Sequence, residues 1–150
     1  MATDIENAAI VSRWFSAVWT GSRSMSDLDA LASPDIVFQY ETGKQLRGVT
    51  AVRQFAKRLR AAFPDIAFRM IGEPAAQEGW VVYHWLSAGT HTGPAFEDFL
   101  IGPLPEASGT KIEMSGFSVL NLVAGKIVEE AVWSKERHAQ LKGAASLWFL

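Results

Sequence analysis

Residues Trp80 to Gly93 read WVVYHWLSAGTHTG. The first half is a run of aromatic and β-branched side chains, which suit a pleated, half-buried surface. The second half breaks into small residues around one imidazole, His91. This is the pattern of a central strand in a curved sheet that carries a histidine to the mouth of a pocket. Segments before it then read as covering helices, and those after it as partner strands.

Towards the N-terminus, Thr3-Asp4-Ile5-Glu6 forms a capping box that starts a helix. Ile10, Val11, Trp14, Phe15, Val18 and Trp19 repeat at three and four, giving one apolar stripe that ends at Gly21. Ser26, with Asp27 and Asp29 in the first turn, predicts a second, short helix that buries Leu28 and Leu31 and closes at Ser33-Pro34. Asp35 to Glu41 alternates as a strand, with Ile36, Phe38 and Tyr40 on one side and Val37 and Gln39 on the other, before a turn at Thr42-Gly43-Lys44. A third helix is predicted from Thr50 to Phe63, stopped by Pro64. Ile66 to Gly72 resumes strand character, and Glu73 to Gly79 reads as a loop.

Beyond the central stretch, Phe96 to Ile101 predicts a short strand. Lys111 to Leu122 and Lys126 to Trp133 predict a hairpin around Val123-Ala124-Gly125, with Gly125 supplying a positive φ. Helices gathered on one side of a mostly antiparallel sheet make an α+β domain, here a single one spanning residues 1–150. The apolar end, Ser146-Leu147-Trp148-Phe149-Leu150, is expected to dock on its own barrel or on a partner subunit.

The bulk composition excludes several function classes. Apolar residues make up 49% and charged residues 20%, a soluble globular balance, and a net charge of −2 gives no footprint for nucleic acid. Lys57, Arg58 and Arg60 read as a solvated helix face. No stretch suits a membrane helix and the N-terminus lacks a signal-peptide pattern, so a cytoplasmic location with no membrane partner is expected. Without cysteine there is no thiol nucleophile, and three scattered histidines give no metal-ligand spacing, so neither metal nor organic cofactor is expected. Six Trp, Trp14 among them, and nine Phe point to a cavity for a small apolar or aromatic ligand.

Acid–base groups in that cavity are the remaining chemistry. His91 exchanges protons near neutrality and sits among small residues that let a ligand approach, although the same glycines also suit a plain bend in which it bonds a carbonyl. His84 lies an odd number of residues earlier, so an unbroken strand points it to the opposite face. Only a bulge at Ser87 to Gly89 brings the two together, and His138 reads as a surface residue. Glu129 and Glu130 are adjacent, so one faces inward, and shared parity with Ile127 and Ala131 selects Glu129. An inward carboxyl has its pKa raised by burial and can serve as base and then acid. The alternative is two exposed acids. Asp98, after Phe96-Glu97, is placed to orient the histidine.

Four motifs, Ala62-Phe63-Pro64-Asp65, Gly89-Thr90-His91-Thr92-Gly93, Ser115-Gly116-Phe117-Ser118-Val119 and Gly125-Lys126-Ile127-Val128-Glu129-Glu130, occur in an order that resembles the SnoaL-like polyketide cyclases, a branch of the nuclear transport factor 2-like superfamily. The resemblance runs from about Asn7 to Leu141. It implies a cone-shaped, curved, mostly antiparallel sheet closed by three N-terminal helices, usually in a homodimer. It also implies ring closure of a polyketide by intramolecular aldol condensation without a cofactor, through a carboxylate in the C-terminal hairpin region.

Glu129 or Glu130 is the counterpart of that carboxylate, with His91 assisting. Trp14, Gln39, Tyr40, His84, Asp98 and Trp133 complete the expected ligand-binding set. The chain departs from the family pattern at Ala124, at Ala131 and at Ser134-Lys135-Glu136, which alters the pocket end where Trp133 stands. The alternative function is a non-catalytic ligand-binding or dimer-assembly module of the same fold.

Overall fold

A computed structural model describes residues 2–21, 23–40, 44–97 and 103–135. Helix α1, Asp4–Phe15, begins at the expected capping box, with Thr3 and Glu6 exchanging both bonds. It does not run on as an α-helix to Gly21: the last turn, Ser16–Thr20, is a π-helix that ends where Gly21 takes φ 69°. A 3-10 turn, Met25–Asp27, leads into α2, Leu28–Leu31, which buries Leu28 and Leu31 as expected. The side chain that caps this segment is Ser24, at the start of the 3-10 turn, rather than Ser26. Helix α3, Val49–Ala62, buries Val52, Phe55, Ala56 and Leu59 along one face and stops before Pro64.

Six strands form one curved open sheet: β1 Ala32–Tyr40, β2 Gln45–Arg47, β3 Ala67–Gln77, β4 Trp80–Thr90, β5 Lys111–Val123 and β6 Lys126–Ser134, in the order β2-β1-β6-β5-β4-β3. All neighbours are antiparallel except β1 and β6, which run parallel. The fold is therefore the expected α+β cone, with Trp80–Thr90 flanked by β3 and β5 inside the sheet.

Two differences from the sequence reading have simple causes. Glu73 to Gln77 continues β3 instead of forming a loop, because Gly72 at φ 69° lets the strand take a bulge between Ile71 and Ala75 and go on pairing with β4. Strand β2 is too short to show a period of two in the sequence. Phe96 makes a single bridge to Leu104, and the rest of the predicted strand, Asp98 to Ile101, lies outside the described residues, as do His138 and the apolar tail.

The core lies between the concave face and the helices. Trp19, Phe38, Phe55 and Phe68 pack with ring centroids 5.1–6.2 Å apart, and Tyr40 joins them through Phe38 and Phe55. No helix among the described residues is long and apolar enough to cross a membrane.

Candidate active site

The register of the sheet sets the site. β4 and β5 pair without interruption from Trp80 to Thr90, and alternate residues of each point into the cone. On β6 the alternation is broken. Leu122 faces Ile127 while Asn121 faces Glu129, so Val128 is an extra residue on the strand. A bulge of this kind reverses the parity of everything after it. Ile127 and Glu130 both point inward, and the parity argument that favoured Glu129 is overturned: Glu129 is half-buried on the outer face, whereas Glu130 is 0% exposed.

Across the concave face the inner rows read Val81, Leu120, Glu130, Phe38 and then Tyr83, Ser118, Val132, Tyr40. Glu130 is held from two sides. Its Oε1 accepts from Trp14 Nε1 at 2.8 Å, across the interface between α1 and the sheet, and its Oε2 accepts from the Tyr83 hydroxyl at 3.0 Å. The Ser118 hydroxyl and the Trp19 indole also face this carboxyl.

Burial pushes the Glu130 pKa above the ordinary glutamate value, and the hydrogen bonds from Trp14 and Tyr83 oppose that rise without cancelling it. Burial, reinforced by the neighbouring Glu130 charge, pushes Tyr83 well above its usual range, so its hydroxyl keeps its proton and acts as a donor. The result is one buried carboxyl with a raised pKa, fixed by the indole of Trp14 and the hydroxyl of Tyr83.

Beside this group is a narrow cleft lined by Phe15, Trp19, Phe68, Tyr83, Trp85, Ser118 and Val132, with free space of about 10 Å³. That admits one water-sized group. Trp85 lies across Gly116, opposite it on β5, where a Cβ would stand 2.6 Å from Trp85 Cζ2 and would collide with the Trp133 carbonyl. Two wider furrows, which share the row Ala67, Ala88 and Glu113 on β3, β4 and β5, hold none of the Glu130 cluster.

His91 lies elsewhere. It is 0% exposed, with Nδ1 2.8 Å from Ser108 Oγ and Nε2 2.7 Å from the Pro94 carbonyl, and its ring is 5.2 Å from Phe63. Because a carbonyl only accepts and the Ser108 N–H donates to Nδ1, the proton sits on Nε2. The ring pins the bend after β4. On the order of 25 Å of strand separates it from Tyr83, so it does not assist Glu130.

The two motifs at this bend hold each other. Asp65 Oδ1 accepts from the Thr90 N–H at 2.7 Å, which lowers the Asp65 pKa, and the Ala62 carbonyl accepts from Thr92 and Gly93. A Cβ on Gly93 would collide with the Ala61 carbonyl, so this approach requires glycine.

The other expected ligand-binding residues divide by face. Trp14 stands behind the carboxyl and outside the cleft lining, and Tyr40 is in the aromatic core. His84 is exposed on the outer face, where Phe117 packs between it and Trp133, the two centroid separations being 6.2 and 6.4 Å. The bulge that would have turned His84 inward does not occur. Gln39 also faces outward and accepts from Gln45. Asp98 lies outside the described residues.

Sequence reading missed Tyr83, Trp85 and Ser118. The alternation Val81, Tyr83, Trp85, Ser87 was the available signal for the first two. Among the described residues no three His, Asp or Glu side chains cluster as metal ligands.

Comparison with known proteins agrees with this architecture. The family model described as SnoaL-like polyketide cyclase matches residues 9–138. A protein of Jannaschia sp. CCS1, provisionally named a SnoaL-like polyketide cyclase, superposes with a TM-score of 0.73 at 18% identity, over 97% of this chain and 95% of its own. A provisionally named polyketide cyclase of Acidithiobacillus ferrooxidans gives 0.64 at 25% identity, over 97% and 100%. An NTF2-like protein of unknown function from Exiguobacterium sp. 255-15 gives 0.61 at 24%, over 83% and 97%. No curated protein matches the chain.

Proposed function

The chain belongs to the SnoaL-like polyketide cyclase family, and from that premise we propose that it is a cofactor-free acid/base catalyst of ring closure or isomerisation on a small, apolar, carbonyl-containing ligand. Glu130 is the proton-transfer group. The observation that carries this reading is a wholly buried carboxyl, held by Trp14 and Tyr83, whose pKa is raised towards the range in which a carboxyl both takes and returns a proton. In the aldol form, Glu130 takes a proton from the carbon beside a carbonyl. The enolate carbon then bonds to a second carbonyl carbon of the same molecule, and the proton returns to the alkoxide oxygen formed there.

Proton exchange at a carbon between two carbonyls tests this without knowledge of the natural substrate. Deuterium uptake into pentane-2,4-dione and ethyl acetoacetate, followed by NMR against the uncatalysed rate, is expected to be accelerated by the wild-type protein. Glu130→Gln is expected to lose about 100-fold or more of that acceleration while still binding the probe. Exchange that survives in Glu130→Gln refutes the assignment.

A second reading, the ligand-binding module without turnover, draws support from the narrowness of the cleft. It predicts saturable binding with no exchange above background. Self-association is part of the same proposal: Val82, Leu86, Phe117, Val119 and Ala131 form an apolar patch on the outer face of the sheet that suits a second copy of this chain.

A further inference from the structure

The outer face of the sheet is unevenly filled. Two of its rows run Arg69, Leu86, Ser115 and then Ala67, Ala88, Glu113 across β3, β4 and β5. The opposed alanines raise almost nothing above the backbone, while Arg69, Glu113 and Lys111 stand exposed around them. The adjoining furrows that result, of about 560 and 610 Å³, have an apolar floor and a charged rim.

Strand β5 is also longer than its neighbour. β6 stops at Ser134, opposite Gly116, so Lys111 to Ser115 has β4 on one side and no described strand on the other. His91 donates to the Thr110 carbonyl, whereas the next N–H, that of Thr90, turns away to Asp65. Bonding alternates along an antiparallel ladder, so Lys111, Glu113 and Ser115 aim their N–H and C=O groups at the open side. Ile112 and Met114, buried on the inner face, hold this stretch in place. An open edge of this kind recruits another segment unless something covers it.

The chain leaves β6 at this same corner. Lys135 is the last described residue, and fifteen more follow. Residues 136–143, ERHAQLKG, are mostly polar or charged, and residues 144–150, AASLWFL, carry no charge and include three large apolar types. From Ser115 to Lys111 the furrowed region is about 14 Å long. The eight residues 136–143 span about 12 Å even when wound as a helix, and more when extended. Other spaces suit the apolar segment less. The cleft beside Glu130 has only about 10 Å³ free, and the outer furrow along Ala75, Trp80 and Val82 lies at the end where β6 begins.

We propose that residues 144–150 dock in the furrow floored by Ala67 and Ala88 of their own chain, with residues 136–143 passing along the open edge of β5. Apolar side chains of the segment then cover the alanine row, and its polar approach meets the charged rim. The edge that β6 leaves bare is closed by the chain that continues from β6.

The sequence contains no cysteine, so an engineered pair forms the only possible disulfide. Ala88→Cys is combined with Leu147→Cys or with Phe149→Cys, and Ala75→Cys, in the distant outer furrow, is combined with each as the control. At least one Ala88 pair is expected to close within a single copy about tenfold or more faster than its Ala75 control, since effective concentration follows geometry, as read by non-reducing gels and mass spectrometry. Equal rates at the two furrows, or no bond at Ala88, overturns the proposal. Bonding between copies overturns it too, by giving the furrow to a neighbour's segment.

A second measurement needs no disulfide. Ala88 is exposed, so Ala88→Arg fills the furrow without entering the core. Chymotrypsin cleavage after Trp148 or Phe149 in the native protein is expected to be about tenfold faster in this variant, because cleavage tracks the population of the open form. Cleavage at the same rate in wild type and variant leaves the segment undocked and refutes the proposal.

Discussion

At Glu130, burial and hydrogen bonding pull in opposite directions, and burial is the larger effect, so the folded state holds the proton above the ordinary value of 4.5. The sign for stability follows. The contribution of this group is complete below 4.5 and is lost as pH rises through the raised value, because the folded chain must then carry a buried charge or keep a proton that the unfolded chain has released. Glu130→Gln keeps an acceptor for Trp14 and a partner for Tyr83 but does not ionise. Relative to wild type it is expected to gain stability as pH is raised from about 4 to 8, read from urea midpoints at each pH. A difference that stays flat, or runs the other way, would show that Glu130 is not strained by burial. The need for a buried carboxyl was legible in Glu129-Glu130, but which of the two was not, because Val128 leaves no mark in the sequence as a bulge and the bulge alone reverses the parity.

The elements divide in the same way. The capping box, the stripes of α1 and α3 and the turn at Ala124-Gly125 follow from local chemistry, and each stands where the sequence places it. The π-turn does not follow from local chemistry, since its Ala17 and Val18 carbonyls are satisfied by Arg60, far along the chain on α3. A guanidinium that read as part of a solvated face is half-buried, and burial lowers its pKa. Arg60→Met keeps the aliphatic stem but removes the donors to Ala17 and Val18. It is expected to destabilise the protein by about 2 kcal/mol and to shift the Trp19 indole NMR signal in the unliganded protein. A Trp19 signal that stays in place would mean that α1 holds the π-turn unaided. The paired motifs around Asp65 and Gly93, which read as marks of the family resemblance, join α3 to the sheet through the bonds of Asp65 to Thr90 and of Ala62 to Thr92 and Gly93.

For the whole molecule, the two faces of the sheet have separate tasks. The concave face meets the helices and holds the polar cluster, while the convex face carries the apolar patch assigned above to a second copy. Val119→Arg, within that patch and on the opposite face of the sheet from the Glu130 side chain, is expected to convert a dimer to a monomer in light scattering with proton exchange retained. A wild-type protein that is already monomeric would refute the assignment of this face. The parallel pairing of β1 with β6 also bears on how the chain reaches this state. β1 has only the short β2 beside it until the last described strand is in hand, and Trp14 meets its acceptor 116 residues downstream. Contacts of such long range are slow to form. The β3–β4–β5 meander is expected to assemble early, and closure of the sheet late, so that the Glu130–Trp14–Tyr83 cluster comes into existence in the same step that completes the molecule.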